Sequence, residues 1–313
     1  MTTGGQWWVV APAESGLRLD KFLAAPGRLG SRARAAAALE RGKVFLNDAV
    51  TSLNDGRRLL ASGDAVRVWM DRPGSAKVRP RAGRFGELQI VYEDDQLLVV
   101  NKPAGVLSVP LERNRGVPSV YDAAEERFRS HGKRRPFIVH RIDQDTSGLV
   151  VFAKDAAAQK HLKQQFKRRE PERIYLAVVY GRPDPPAGTW RDDLVWDEKA
   201  LIQKETHPRH PRGTEAISDY RVIEPLRDSS LIEVRLRTGR RNQVRIQARL
   251  RGHTLLGETR YVFGPETMRP IAFPRHALHA FRLAFRHPFD ERMVQFEAPL
   301  PADLVDLLAR LRR

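Results

Sequence analysis

Residues 71–86, DRPGSAKVRPRAGRFG, carry no hydrophobic period and are rich in Pro, Gly and Arg. They read as a linker, and a break of this kind obliges the chain to build a separate core on each side. The stretch before it, 15–70, is short and compact in pattern. Ser31 is placed to cap a helix through the Ala-rich run to Arg41, with Gly42 ending it. Val44–Leu46 reads as a strand, Asn47-Asp48 as a turn, and 66–69 as a later strand after a Gly63-Asp64 turn. One face of the helix offers Arg34 and Arg41, with Arg32 alongside. A solvated surface is the ordinary reading of such a charge run.

The stretch after the linker, 87–313, reads as one larger domain. Segments 88–92 and 97–100 flank the acidic turn Glu93-Asp94-Asp95 in a hairpin pattern. Segments 136–140 and 149–153 are two apolar strands around a polar loop. Asp155 suits the N-cap of a strongly basic helix to Arg169, which carries Lys160, Lys163 and Lys167. The run 173–180 alternates as a strand, with Ile174, Leu176 and Val178 on one face and Tyr175, Ala177 and Val179 on the other. Segments 231–237 and 278–285 read as strands and 242–251 as a helix. Leu304, Leu307, Leu308 and Leu311 have the spacing of a packed C-terminal helix. Many strands with irregularly placed helices predict an α+β domain with a mixed or antiparallel sheet.

Composition narrows the function. Lys+Arg 55 against Asp+Glu 38 leaves a formal net charge of +17, which favours an acidic, soluble partner and above all nucleic acid. No cysteine is present, so disulfides, thiolate metal sites and cysteine nucleophiles are excluded, and a reducing cytoplasm is the expected compartment. No apolar run suits a membrane span, and the first eight residues do not look like a secretory signal. Histidines at ligand spacing occur only as His207/His210 and His276/His279, without adjacent carboxylates, so no metal is expected. The phosphate-cradling pattern GxxxxGK[ST] is absent.

The loop HRIDQDTSG at 140–148 concentrates polar groups between two buried-looking strands, a good position for chemistry. Asp143 and Asp145 stand two apart and, in extended geometry, point the same way. That spacing suits an acid/base pair of the glycosidase kind, or a polar turn bonding its own backbone. The longer string, HRIDQDTSGLVVFAKD, closely resembles the signature of the RluA family of pseudouridine synthases, with Ile142 as the one change within the core. RIYLAVVYG at 173–181 resembles that family's tyrosine-bearing strand, and LRTGR at 236–240 with Gln243-Val244-Arg245 resembles its third motif. Residues 101–105, 215–220 and 277–280 also match, so the likeness covers about 88–290. Residues 17–69 resemble the alpha-L RNA-binding motif, on Arg18 to Leu23, Ser31-Arg32, Gly42-Lys43-Val44 with Asn47, and Gly63 to Val66.

The resemblance implies a cofactor-free isomerase that turns uridine in structured RNA into pseudouridine, with a central cleft in its catalytic domain. Ribosomal RNA is favoured, and transfer RNA is the other candidate. Asp143 matches the family's catalytic aspartate, Arg245 the basic residue paired with it, and Tyr175 the aromatic ring against the target base. His140, Arg141 and Thr146 are expected at the RNA, with Arg141 suited to fill the space of an extruded nucleotide. Arg32, Arg34, Arg41, the linker and Lys160, Lys163 and Lys167 are the expected phosphate-facing surfaces. Asn242 and Gln247 stand where the family pattern would have histidines, and Glu258 where it would have Asp. The expected enzyme is a monomer. Its rivals are a non-catalytic RNA-binding or ribosome-assembly factor and a glycosidase using Asp143 and Asp145.

Overall fold

A computed structural model describes residues 5–40, 42–70, 87–110, 117–130, 135–262 and 270–313. Arg41 and the linker 71–86 lie outside the described residues. Two units separate, 1–81 and 82–313.

In the first unit, β1 (Gln6–Val9), β2 (Val44–Leu46), β3 (Ala49–Val50) and β4 (Ala65–Val68) form an antiparallel sheet in the order β1-β4-β2-β3. Asn47 and Asp48 both have positive φ, at 50° and 63°, which is the two-residue turn that matches strand twist between β2 and β3. Two helices, α1 (Leu19–Ala24) and α2 (Arg32–Glu40), pack Leu19, Phe22, Leu23, Ala35, Ala38 and Leu39 against Val44, Leu46, Val66 and Val68. Ser31 caps α2, its Oγ accepting from Arg34 N at 3.2 Å. The sheet begins well before residue 15, because β1 is too short to show a period in the sequence.

The second unit carries β5 (Ile90–Glu93), β6 (Leu97–Lys102), β7 (Phe137–Ile138), β8 (Ser147–Ala153), β9 (Glu172–Tyr180) and β10 (Ala187–Asp197). It continues with β11 (Ile202–Glu205), β12 (Thr214–Leu226), β13 (Ser229–Leu236), β14 (Leu278–Arg286) and β15 (Met293–Glu297). Together they make one 11-stranded sheet in the order β11-β10-β12-β13-β9-β14-β8-β6-β5, with β15 on β14 and β7 on β8. Its helices are α3 (Val120–Ser130), α4 (Ala156–Arg168), α5 (Gln243–Leu250) and α6 (Ala302–Leu311).

Alternation along the strands divides the core. Leu176, Val178 and Tyr180 of β9 meet the α6 leucines Leu304, Leu307, Leu308 and Leu311. Ala177 and Val179 face the other way, onto Val244 and Ala248 of α5. In β8, Leu149 and Val151 pack with Leu162 of α4, while Val150 and Phe152 pack with Val120, Ala124 and Phe128 of α3. Every residue of β8 is buried, as befits a strand covered on both faces. Each fully buried leucine removes enough apolar surface to favour the fold by about 1.5–3 kcal/mol.

Two junctions position the loop before β8. Among the described residues, the single parallel pairing of the sheet joins β14 to β8 at His279↔Ser147 and Ala280↔Gly148. Gly148 has φ +112°, and a Cβ there would stand 2.2 Å from Ala280 O, so only glycine fits. The strand expected over 136–140 shortens to β7, which leaves Val151 N without a strand partner. His140 fills that gap, its Nε2 accepting from Val151 N at 3.1 Å.

Candidate active site

Asp143 lies on the loop between β7 and β8, and the backbone of that loop is held from several directions. Thr146 N donates to Asp143 O at 3.2 Å, which folds 143–146 into a turn. Ser108 Oγ accepts from Ile142 N at 3.1 Å and donates to Ile142 O at 2.8 Å. Arg275 Nη1 donates to Asp145 O at 3.1 Å. Lys102, fully buried, donates from Nζ to Pro103 O, Val106 O and Gln144 O at 2.8, 2.7 and 2.7 Å. Three such bonds use all three donors of an ammonium. Burial pulls this lysine down to about 7, with Asp145 and Asp143 acting against that pull.

The turn settles the geometry of the two carboxylates. They do not share a direction, as an extended segment would require; Asp143 is half-buried and faces a cleft, while Asp145 is exposed and absent from its lining. The acid/base pair imagined for Asp143 and Asp145 is therefore not formed.

Asp143 Oδ2 instead accepts from Asn242 Nδ2 at 2.5 Å and from Arg245 Nη1 at 3.2 Å. Arg245 is anchored from behind: Nε and Nη2 donate to the two oxygens of Glu258 at 2.6 and 2.7 Å. Glu258 has a side chain 0% exposed, and Arg245 8%. Burial alone would push that carboxyl up; the guanidinium overrides it and holds Glu258 below its ordinary value, while Arg245 is raised. Glu258 Oε1 also accepts from Arg260 N at 2.7 Å. Gly257 places it, with φ +71° and no room for a Cβ, which would stand 2.0 Å from Arg275 O.

Asn242 precedes α5 in the left-handed region, φ 54°, a conformation asparagine tolerates, and its amide turns to Asp143 instead of capping the helix. Tyr261 OH donates to Asn242 Oδ1 at 3.3 Å and accepts from Gln203 N of β11 at 2.9 Å. A chain of hydrogen bonds thus runs from the β10–β11 hairpin to Asp143. Gln247 has a different task. It is fully buried, accepts from Ser218 Oγ at 2.7 Å and donates to Asp192 Oδ2 at 2.7 Å, tying α5 to β10 and β12.

Asp143, Arg245 and Tyr175 line one cleft of about 320 Å³ with Arg141, Arg240 and Arg241. Tyr175 arrives there because β9 alternates: it lies on the α5 face, opposite Ala280 of β14. Burial, with a smaller contribution from Asp143, pushes its hydroxyl up to about 12, so the ring stays neutral.

The remaining expected residues separate. Arg141 is exposed at the cleft. His140 makes contacts within the fold: besides its bond to Val151, its ring stacks on Phe166 at 4.8 Å, and burial with the Arg173 charge pulls it down to about 3. Thr146 is 1% exposed and its Oγ1 is spent on His276 Nε2 at 2.8 Å, so it shapes the loop and does not offer its hydroxyl to RNA. Lys160, Lys163 and Lys167 are exposed along α4, away from its buried face, and are not among the cleft-lining residues. Arg32 and Arg34 are exposed on α2 of the first unit, and Arg41 lies outside the described residues. Sequence reasoning missed Lys102, Arg275 and the placing roles of Asn242 and Glu258. The departures from the family pattern at 242 and 258 were the one signal that pointed to the last two.

No helix among the described residues is long and apolar enough to cross a membrane. Residues 96–250 match the family model described as RNA pseudouridylate synthase. The chain is 37% identical over 297 residues to a protein of Zymomonas mobilis named ribosomal large subunit pseudouridine synthase D, covering 92% of each chain. It is 35% identical to an uncharacterized RNA pseudouridine synthase of Bacillus subtilis, covering 95% of this chain and 94% of that one. Among solved structures, the human RNA pseudouridylate synthase domain containing 4 superposes with a TM-score of 0.60 at 22% identity, over 72% of this chain and 93% of that one.

Proposed function

The chain belongs to the RNA pseudouridine synthase family and isomerises uridine in RNA; from that premise we propose that its substrate is structured large-subunit ribosomal RNA and that Asp143 performs the chemistry. The relatives named for the large ribosomal subunit support the choice of RNA. The observation that carries the role of Asp143 is its carboxylate, gripped by Asn242 and Arg245 on the wall of a cleft faced by Tyr175.

In the reaction the N1–C1′ bond of uridine breaks, a C5–C1′ bond forms, the C5 proton leaves to solvent and N1 gains one. Nothing is oxidised or reduced, so carboxylate, guanidinium and ring suffice. Asp143 engages the ribose or base as an ionised group, and Arg245 balances its charge and fixes its direction. The Tyr175 ring holds the detached uracil while it turns, and base–aromatic stacking is worth ~1–3 kcal/mol. Arg141 occupies the gap left by the extruded nucleotide. Exposed Arg32, Arg34, Lys160, Lys163 and Lys167 hold phosphates and position the RNA without reading its sequence. The same reading takes the enzyme to be a monomer in the cytoplasm.

The test is Asp143→Asn on a large-subunit ribosomal RNA transcript carrying C5-tritiated uridine. Tritium release should fall by roughly 10³-fold or more, while binding of the transcript changes little. A variant that still releases tritium at the wild-type rate overturns the assignment. Binding with no release by the wild type, and a biological effect untouched by Asp143→Asn, would favour the non-catalytic assembly factor.

A further inference from the structure

The cleft has a rim that the reaction as described leaves unused. Trp196 stands near the end of β10, half-buried, and the guanidinium of Arg241 lies 3.9 Å over its ring. Arg241 itself is exposed and lines the cleft beside Asp143. Besides partial burial, the charges of Arg141 and Arg260 act against its own, and Asp143 acts in its favour. Neither Arg241 nor Arg141 pairs with another carboxylate at salt-bridge distance among the described residues, although elsewhere in the unit arginines such as Arg221, Arg237 and Arg312 do. Clustering like charges that no salt bridge neutralises costs energy, and an arriving anion relieves it.

The rim is also braced. Arg260 Nη1 donates to Leu201 O at 3.0 Å, fixing the turn between β10 and β11, and its backbone N is held by Glu258. Gln203, the cross-strand partner of Trp196, donates to Tyr261 OH, which in turn holds Asn242. An indole under one face of a guanidinium limits its rotation yet leaves its N–H edge open, the geometry for bidentate contact with a phosphate.

We propose that Arg241, seated over the Trp196 ring beside Arg141, is a clamp for the RNA phosphodiester next to the target uridine. The clamp rests on the RNA-isomerase reading and adds a positioning residue to it. It acts on binding: the phosphate is held equally before and during the chemical step, so its loss raises KM and leaves kcat alone.

The experiment compares wild type with Arg241→Gln, Trp196→Phe and Trp196→Leu on the C5-tritiated large-subunit transcript. Arg241→Gln should raise KM about 10-fold with kcat within about twofold, and should lower the slope of log affinity against log salt by about one. Trp196→Phe keeps a ring under the guanidinium and should behave as wild type, whereas Trp196→Leu should follow Arg241→Gln in KM. Unchanged KM and salt slope in Arg241→Gln, or a loss in kcat with KM unaltered, overturns the clamp. Failure of the substrate reading looks different: the wild type itself then releases no tritium. In that event the salt slopes of wild type and Arg241→Gln on the same transcript still decide whether Arg241 holds a phosphate.

Discussion

Arg245 and Arg241 line the same cleft on either side of the start of α5, yet they are treated in opposite ways. Arg245, its side chain 8% exposed, gives hydrogen bonds to Asp143 and to both oxygens of Glu258. Arg241 is exposed, rests on Trp196 and meets no carboxylate at salt-bridge distance among the described residues. A buried guanidinium must be matched or it destabilises the fold; an exposed one can remain in water until a ligand replaces that water. The floor of the cleft is therefore saturated and rigid, and its rim is left with donors to spend.

Glu258→Gln is the harshest way to break this contrast. It leaves Arg245 buried with half its compensation, so stability should drop by roughly 3–5 kcal/mol, and tritium release should fall as Asp143 loses its fixed partner. Urea denaturation and single-turnover kinetics would read the two effects. Wild-type stability in this variant would mean that the floor is no more committed than the rim.

Acid should loosen the floor before the rim. His276, partnered by Thr146, is pulled down to about 4 by burial and by Arg245, and His140 to about 3, both from 6.5. Each is neutral in the fold and takes up a proton on unfolding. Their stabilising contribution is complete above pH 6.5 and is lost as pH falls toward 4, at up to ~1.4 kcal/mol per pH unit for each group. Melting temperatures recorded from pH 7 to 4 should fall less steeply for His276→Gln than for wild type. Parallel curves would remove the histidine from the account.

The mildest change is Arg141→Gln. An exposed rim residue without a carboxylate partner should alter stability by no more than about 0.5 kcal/mol, and its effect should appear in RNA affinity. A large loss of melting temperature would move Arg141 from rim to floor.

Much of this organisation is legible along the chain. The Ser31 cap, the Asn47-Asp48 turn, the Asp155 cap, the alternation of β9 and the leucine spacing of α6 all depend on neighbours within a few residues. β10, β12 and α3 were not read, because their patterns mix charged and apolar positions that only their sheet and helix neighbours explain. His140 shows the limit most clearly. Next to Arg141 in a polar loop it reads as a ligand for RNA, yet its Nε2 accepts from Val151 N of β8, just beyond the short pairing of β7 with that strand.

The sequence by itself determined the family and the mixed α+β class and singled out Asp143, Arg245 and Tyr175, which share one cleft, because those follow from local pattern and from motif resemblance carried on contiguous residues. Only the tertiary structure decided which polar groups are consumed. Asn242, Lys102 and Arg275 bond the Asp143 loop directly and Glu258 holds its partner Arg245; they come from four other parts of the chain, and each is buried, so each had to find a partner. Pairing at such separations is set by where the sheet brings its strands together, and a charge left over after that pairing, as on Arg241, becomes visible only once the rest are accounted for.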